Sequence, residues 1–563
     1  MLLIIISWCY IFFTLVNFGF VAVSILKKPL KNKLIHLVLG LISILVLSHI
    51  WAFFSGFGIV FHLFLLLSNI SISWLFRKQI FQFYKEILHI LSQFALSYKI
   101  LIFIISLLIL AKSASLGRVL DNENYYVQTI KWLNEYGFVE GLANLHLFFG
   151  QSSGWHVLQS VFSFHFLNVK FNDFDAFLLQ VLNIYALKTL YFQKKSFQFL
   201  VFIPVLNWFI LEFCVVPSPD FGVIFSSIIL CFLFLRSFTN PKPQDFYLAL
   251  LVFLSAMLIK VTAIGLLVFP LVLFFKLKSK SFKFYIKTIS LVLVFASLWV
   301  GKNLVISGYP LFPSDSFSEL FTLNHQIPEA LYNFSLRKEK LLEFFASTKE
   351  VELLSTFDLF WKWLTHSKVS LIFNLSLLLS VIVIPILILR LKLKSAIWWI
   401  YLSFIAQLVF LAMTSPQYRF ALHYLVIFAL LFLSLSRFAL KYRLLILSFS
   451  QIVVIWFLLF PIRYGEISSK NYQLESEIFQ LKNFVVPAPN SAIDSEYEIK
   501  RVGNMNYYSP VEPVYFWSTG DGDLPCVNEK QLKYFSHKIK YRPQLKDSTE
   551  LSKGFYSEKI SDE

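Results

Sequence analysis

The chain is 563 residues long, 57% hydrophobic and only 15% charged, with a mean hydropathy of +0.68. Soluble domains are about half apolar and a quarter charged, so this balance excludes a soluble globular protein. The net charge of +17 does not point to nucleic acid, because many basic residues cluster in short links between apolar runs, the pattern that orients helices in a bilayer.

A spanning helix needs about 20 apolar residues. Apolar runs at 2–26, 34–54, 58–76, 100–116, 174–192, 197–214, 221–236, 246–259, 261–275, 288–305, 369–389, 396–413, 421–436 and 444–461 predict an all-α polytopic membrane protein with about 12–14 transmembrane helices. A transmembrane barrel would show alternating polarity, and the sequence has none. The first run has no basic lead and no small-residue cleavage site, so it reads as a retained helix. Cys9, Cys214 and Cys231 lie in or beside apolar runs, and with Cys526 they imply no disulfide framework.

Basic links set the orientation. They are Lys27 to Lys33, the 77–99 segment, Lys194-Lys195, Arg236 with Lys242, Lys276 to Lys287, Arg390 to Lys394 and Arg437 to Arg443. Placing all of them in the cytoplasm starts the N-terminus outside and lets the spans alternate. The run 246–275 is basic on both flanks and carries Lys260 at its middle. A single crossing would leave one basic flank outside, so two short helices meeting near Lys260 are predicted. The transmembrane domain is then 1–461, with extracytoplasmic loops 117–172 and 306–368. Segments 217–220 and 416–419 share that face. Residues 462–563 form a small extracytoplasmic C-terminal segment, α/β or irregular.

The longest polar interruption in the first third opens at Ser115-Leu116-Gly117-Arg118-Val119-Leu120-Asp121. Asp121 and Glu123 follow a hydrophobic span directly, where acids are costly unless solvated, paired or used. Asp121 fits as the N-cap of a helix over 123–136, with Glu123 in its first turn. Both fit equally as catalytic acids, a general base for a sugar hydroxyl with or without a divalent metal ion held between them. Asp220, in Pro217-Ser218-Pro219-Asp220, fits the first turn of the next span. Alternatively it faces Asp121 as a second acid or as partner to a cation. Lys260 inside an apolar run costs about 2.5–3.5 kcal/mol on insertion scales. Lys260, Lys302 and Arg419 all sit at outer helix ends, where each can snorkel to the surface and where together they suit an anionic ligand. His146, His156 and His165 share the first outer loop without zinc-like spacing. They suit packing or hydrogen bonding, and His146 also joins the substrate-binding candidates. Trp132 and Trp155 read as interface anchors. No nucleotide-binding loop or G-x-S-x-G elbow is present, which suits an activated lipid donor.

An acidic pair in the first large outer loop of a many-helix protein resembles the GT-C superfamily of membrane glycosyltransferases. The runs DNENYYVQTIKWLNEYGFVEGLANLHLFFGQSSGWHVLQ, VPSPDFGV, KNLVISGYPLFP and SPQYRFA, with the tail motif Gly520-Asp521-Gly522-Asp523-Leu524-Pro525-Cys526, resemble an uncharacterised family of bacterial multi-helix membrane proteins. The resemblance implies a GT-C-like enzyme of the bacterial inner membrane. It would move a sugar from a polyprenyl-phosphate donor to a glycan, lipid or protein acceptor on the outer face, with membrane lipids as its surroundings. Two alternatives stand beside it: a polymerase or ligase of lipid-linked oligosaccharides, and a lipid or glycan transporter.

Overall fold

The computed structural model describes the chain apart from residues 28–31, 118, 166–172, 193–194, 335–349, 351–352, 392–394, 436–439, 461–478, 494, 514 and 561–563. Arg118, Lys194, Arg437, much of the first basic link, parts of both outer loops and the start of the C-terminal segment therefore lie outside the described residues.

The molecule is mostly helical, and among the described residues nine helices are long and apolar enough to cross a membrane. They are α1 (Leu2–Leu26), α2 (Lys33–Ala52), α5 (Leu96–Ser113), α10 (Pro219–Ser237), α13 (Phe282–Ser307), α15 (Lys368–Arg390), α16 (Ser395–Met413), the Tyr418–Leu435 stretch containing α17 (Leu422–Leu435), and α18 (Leu440–Leu459). The fourth predicted apolar run starts earlier than its hydropathy suggests, because α5 begins at Leu96. A tenth crossing counts if α3 (Ile59–Leu75) and α4 (Arg77–Ser92) are one span. They meet at 90°, and α4 carries Arg77, Lys78 and Lys85 opposite an apolar face, as a helix along the membrane surface would. The rest of the predicted set consists of α8 (Phe174–Tyr191) and shorter apolar pieces. One of these, a 3-10 segment, includes Pro204 and leads into α9 (Asn207–Ile210).

The run around Lys260 is a hairpin. Helix α11 (Pro243–Ile259) ends at Lys260, whose backbone is extended at φ −158°, and a 3-10 turn leads into α12 (Val268–Lys276). The far ends meet, with the Phe246 and Phe274 rings 5.8 Å apart and Phe284 of α13 5.1 Å from Phe246. Lys276, Lys280 and Lys287 lie over Phe238, Phe274 and Tyr247 at 3.9, 4.7 and 4.6 Å. This is a basic face of snorkelling cations on aromatic rings.

The opposite face is capped. The first polar loop folds into a π-helical segment Asn122–Tyr126, α6 (Val127–Glu135) and α7 (Gly154–Val161). Helix α14 (Thr356–Thr365) leads into α15. The C-terminal segment adds two antiparallel hairpins and a helix, α19 (Glu529–Lys538). Strand β1 (Tyr497–Val502) pairs with β2 (Met505–Pro510), Tyr497 opposite Pro510, and β3 (Tyr541–Leu545) pairs with β4 (Phe555–Lys559), Tyr541 opposite Lys559. Gly503, at φ 54°, supplies the left-handed backbone that turns the first hairpin.

The cap is seated by specific bonds. Lys131 of α6 donates to the carbonyls of Asp521 and Gly522 at 3.1 and 2.8 Å and pairs with the Asp521 carboxylate at 3.1 Å. Gln128 donates to the carbonyls of Gly520 and Gly522 at 3.1 and 2.7 Å. The tail motif is thus a cradle for two side chains of the first loop. Trp132 and Trp155 are not interface anchors. Both are fully buried, Trp132 against Phe555 of the cap and Trp155 with its indole N–H on Asp175 at 2.8 Å. The loop that carries them is covered by the cap and packed on helix ends, which encloses both indoles.

Candidate functional site

Helix α7 is wedged against the tip of the α11/α12 hairpin. Ser153 caps α7, accepting from the Trp155 N–H at 3.0 Å and donating to the Ile259 carbonyl at 2.5 Å. Gly154 follows because there is no room for more. A Cβ there would lie 2.8 Å from the Leu258 carbonyl oxygen and 3.0 Å from the His49 ring. From the other side, Gln407 of α16 accepts from the Gly265 N–H at 3.0 Å and donates to the carbonyls of Thr262 at 2.5 Å and Phe420 at 3.2 Å. One side chain therefore ties the hairpin tip to the short turn that carries Arg419.

Four charged residues converge there. Asp220, in the first turn of α10, forms an ion pair with Lys260. Arg419 donates from Nη to Asp121 Oδ2 at 2.5 Å and from Nε to Gln417 Oε1 at 2.6 Å. The two pairs share a wall, since Lys260 Nζ lies 4.1 Å and the Arg419 guanidinium 5.0 Å from the Phe420 ring centre. Tyr126 donates to Asp121 at 3.4 Å, and its ring packs 4.7 Å from His156. His156 reports the field of the whole group. Burial first, then the charges of Lys302 and Lys260, push its imidazole down to about 3 against the pull of Asp121 and the Pro217 carbonyl. Burial chiefly, with Asp121 adding, holds the Tyr125 and Tyr126 phenols well above their ordinary value.

Asp121 is not a helix cap. Its backbone is already helical and its side chain makes no capping bond, because the chain continues into the π-helical turn and the carboxylate points at Arg419. Side-chain exposures are 16% for Asp121, 11% for Asp220, 20% for Lys260 and 37% for Arg419, so Arg419 is the most open of the four.

Glu123 does not join this group. Its carboxylate accepts from Asn122 Nδ2 at 2.9 Å, the Ala492 N–H at 3.0 Å and the Ser491 hydroxyl at 2.5 Å, while its carbonyl accepts from the N–H groups of Thr519 and Gly520. Burial raises its carboxyl above the ordinary value in spite of these bonds. His146 is also set in structure, with Nδ1 accepting from the Phe148 N–H at 3.2 Å and Nε2 facing the Trp517 carbonyl at 3.3 Å. Burial lowers it to about 4. Lys302 is buried and donates to the Ser152 carbonyl at 2.5 Å, close enough to His156 for its charge to lower the imidazole. The residues do not fit a divalent metal. Asp121 and Asp220 each face a cation, Glu123 is committed to the cap, and no three His, Cys, Asp or Glu side chains cluster among the described residues.

Sequence reasoning gave no role at the site to Tyr126, Gln407, Gln417 and Phe420, while His156, read as a packing or hydrogen-bonding group, does pack on Tyr126 and accepts from the Ser153 N–H. A glutamine in the middle of an apolar span is the one signal that marked Gln407 in advance. Asp175 is a further support, accepting from Trp155 and Gln159 at 2.8 and 2.5 Å, while the Trp155 ring closes on Gly222, two residues past Asp220.

Fold and site together define a multi-pass α-helical membrane protein with a charged cluster at one end of its helices, beneath a mixed α/β cap. The chain belongs to the family described as a domain of unknown function (DUF8201), whose model matches residues 1–426 and so takes in Asp121, Asp220, Lys260, Lys302 and Arg419. No curated protein and no solved structure matches the chain.

Proposed function

We propose that the protein is a GT-C-like glycosyltransferase of the bacterial inner membrane, using a polyprenyl-phosphate sugar on the outer face. The observation that carries this reading is the Asp121–Arg419 pair, open on the Arg419 side and backed by Asp220–Lys260. The basic residues at the opposite end of the helices support the orientation.

As it stands the cluster is neutral, two acids against two cations. A phosphodiester entering beside Arg419 competes with Asp121 for the guanidinium, so binding the donor frees the carboxylate that the reaction needs. The acceptor hydroxyl oxygen then forms a bond to the anomeric carbon, and its proton passes to Asp121. The bond from the anomeric carbon to the phosphate oxygen breaks, and its electron pair leaves on the polyprenyl phosphate. Arg419 and Lys260 offset that developing charge. Asp220 holds Lys260 at the site, and Tyr126 orients Asp121.

Asp121→Asn tests this directly, because asparagine keeps an oxygen for Arg419 and removes the base. Membranes supplied with a labelled polyprenyl-phosphate sugar are expected to lose about 10²- to 10⁴-fold in transfer. Transfer at the unaltered rate would overturn the assignment.

A further inference from the structure

Helix α14 is ten residues long, too short to cross a bilayer, yet it is well formed. Ser355 and Asp358 make a reciprocal capping box, with the Asp358 N–H on Ser355 Oγ at 3.2 Å and the Ser355 N–H on Asp358 Oδ2 at 3.3 Å. Its side chains fall into three arcs. Phe357, Phe360 and Trp361, at i, i+3 and i+4, are 69, 42 and 56% exposed, an apolar stripe left open among the described residues, while Leu364 at its C-terminal end is buried. Asp358, Lys362 and Thr365 form a polar arc. The third arc grips the protein, where Trp363 donates its indole N–H to the Pro416 carbonyl at 2.8 Å and its own carbonyl accepts from Asn374 at 2.9 Å.

Three arcs are what a helix needs where protein, lipid and water meet. The stripe directly precedes a helix long and apolar enough to cross a membrane, α15, which starts three residues after α14 ends and at once exposes Leu371, Ile372 and Leu375. The third arc holds Pro416, from which Gln417 and Arg419 lead to Asp121. We propose that α14 is a membrane-seated clamp, with Phe357, Phe360 and Trp361 in the lipid at the capped face, and that through Trp363 and Pro416 it holds Arg419 against Asp121. The partner is the acyl region of the bilayer. The clamp stands whether or not the transferase reading does.

The full chain with Cys9→Ser, which removes the one exposed thiol among the described residues, serves as background for Phe357→Cys, Trp361→Cys and Asp358→Cys. Each is labelled with bimane and reconstituted in liposomes. Lipids brominated near the headgroup are expected to quench the probe at 357 and 361, and aqueous iodide the probe at 358. Iodide quenching at 357 and 361 without lipid quenching overturns the membrane seat. Protection from both quenchers overturns it as well, and points to a second copy or another protein on the stripe. The coupling is read by phenylglyoxal modification of Arg419, mapped by mass spectrometry. Trp363→Phe keeps the ring and loses only the hydrogen bond, and is expected to raise Arg419 modification about fivefold with lipid quenching at 357 unchanged. Unchanged modification of Arg419 overturns the clamp.

Discussion

Asp220 and Lys260 form the more enclosed of the two ion pairs, and removing one partner strands the other where water reaches it poorly. Lys260→Met alone is therefore expected to lower stability by about 2–3 kcal/mol, at the lower edge for a buried pair because both ends keep some solvent. The double variant Asp220→Asn, Lys260→Met should recover most of that loss, as thermal unfolding of the detergent-solubilised protein would reveal. A loss in the double variant equal to the sum of the two single losses would mean that the two residues do not act as a pair. The histidines set a different response. His146 and His156 are held neutral by burial, down to about 4 and about 3. A lowered imidazole stabilises the fold fully above its unfolded value of about 6.5 and loses that contribution as pH falls towards the folded value. The melting temperature is expected to drop on acidification from pH 7 to 5, with a slope of up to about 1.4 kcal/mol per pH unit per ring. His156→Gln should flatten that slope, and an unchanged slope would show that the ring is not the group titrating.

At the scale of elements, the hairpin at Lys260 decides where the site sits. It brings the ends of α10, α11, α12 and α13 together at the basic face and leaves Lys260 at the tip, beside Asp220. Lys242→Cys and Ser279→Cys, in a background without exposed thiols, are accordingly expected to react with a membrane-impermeant maleimide from the same side of sealed vesicles. Labelling from opposite sides would mean that α11 and α12 cross as one span. The hairpin was legible because two basic flanks around a run of about 30 residues leave few ways to satisfy charge placement. The nature of the polar loop was not. A π-helical turn, an eight-residue helix and fully buried tryptophans come from contact with the cap and the hairpin tip, which no local pattern encodes.

At the scale of the whole molecule, the cap and the membrane helices are joined through Glu123, Gln128 and Lys131. Burial raises the Glu123 carboxyl, so the contribution of its neutral form is complete below the ordinary carboxylate value and lost as pH rises through the raised one. Hydrogen exchange across residues 491–522 is expected to quicken over that rise. Glu123→Gln mimics the neutral form and keeps partners for Asn122, Ala492 and Ser491, so it should abolish the pH dependence while leaving the cap seated. A cap released in the Gln variant would show that the charge itself is needed.

Hydropathy and the placement of basic residues determined, without any structure, that the chain is a multi-pass helical membrane protein, that it reverses at Lys260, and that Asp121, Asp220, Lys260 and Arg419 belong at one end of the helices. These are local quantities, fixed by the free energy of putting apolar or charged groups in a bilayer. Only the tertiary structure decided the pairing. Asp121 and Arg419 are 298 residues apart in sequence, and they meet because Ser153 and Gly154 lock α7 to the hairpin tip while Gln407 ties that tip to the Arg419 turn. The same packing separates Asp121 from Glu123. Two residues apart on a chain that winds through a π-turn, one carboxylate faces the membrane helices and the other is enclosed by the cap.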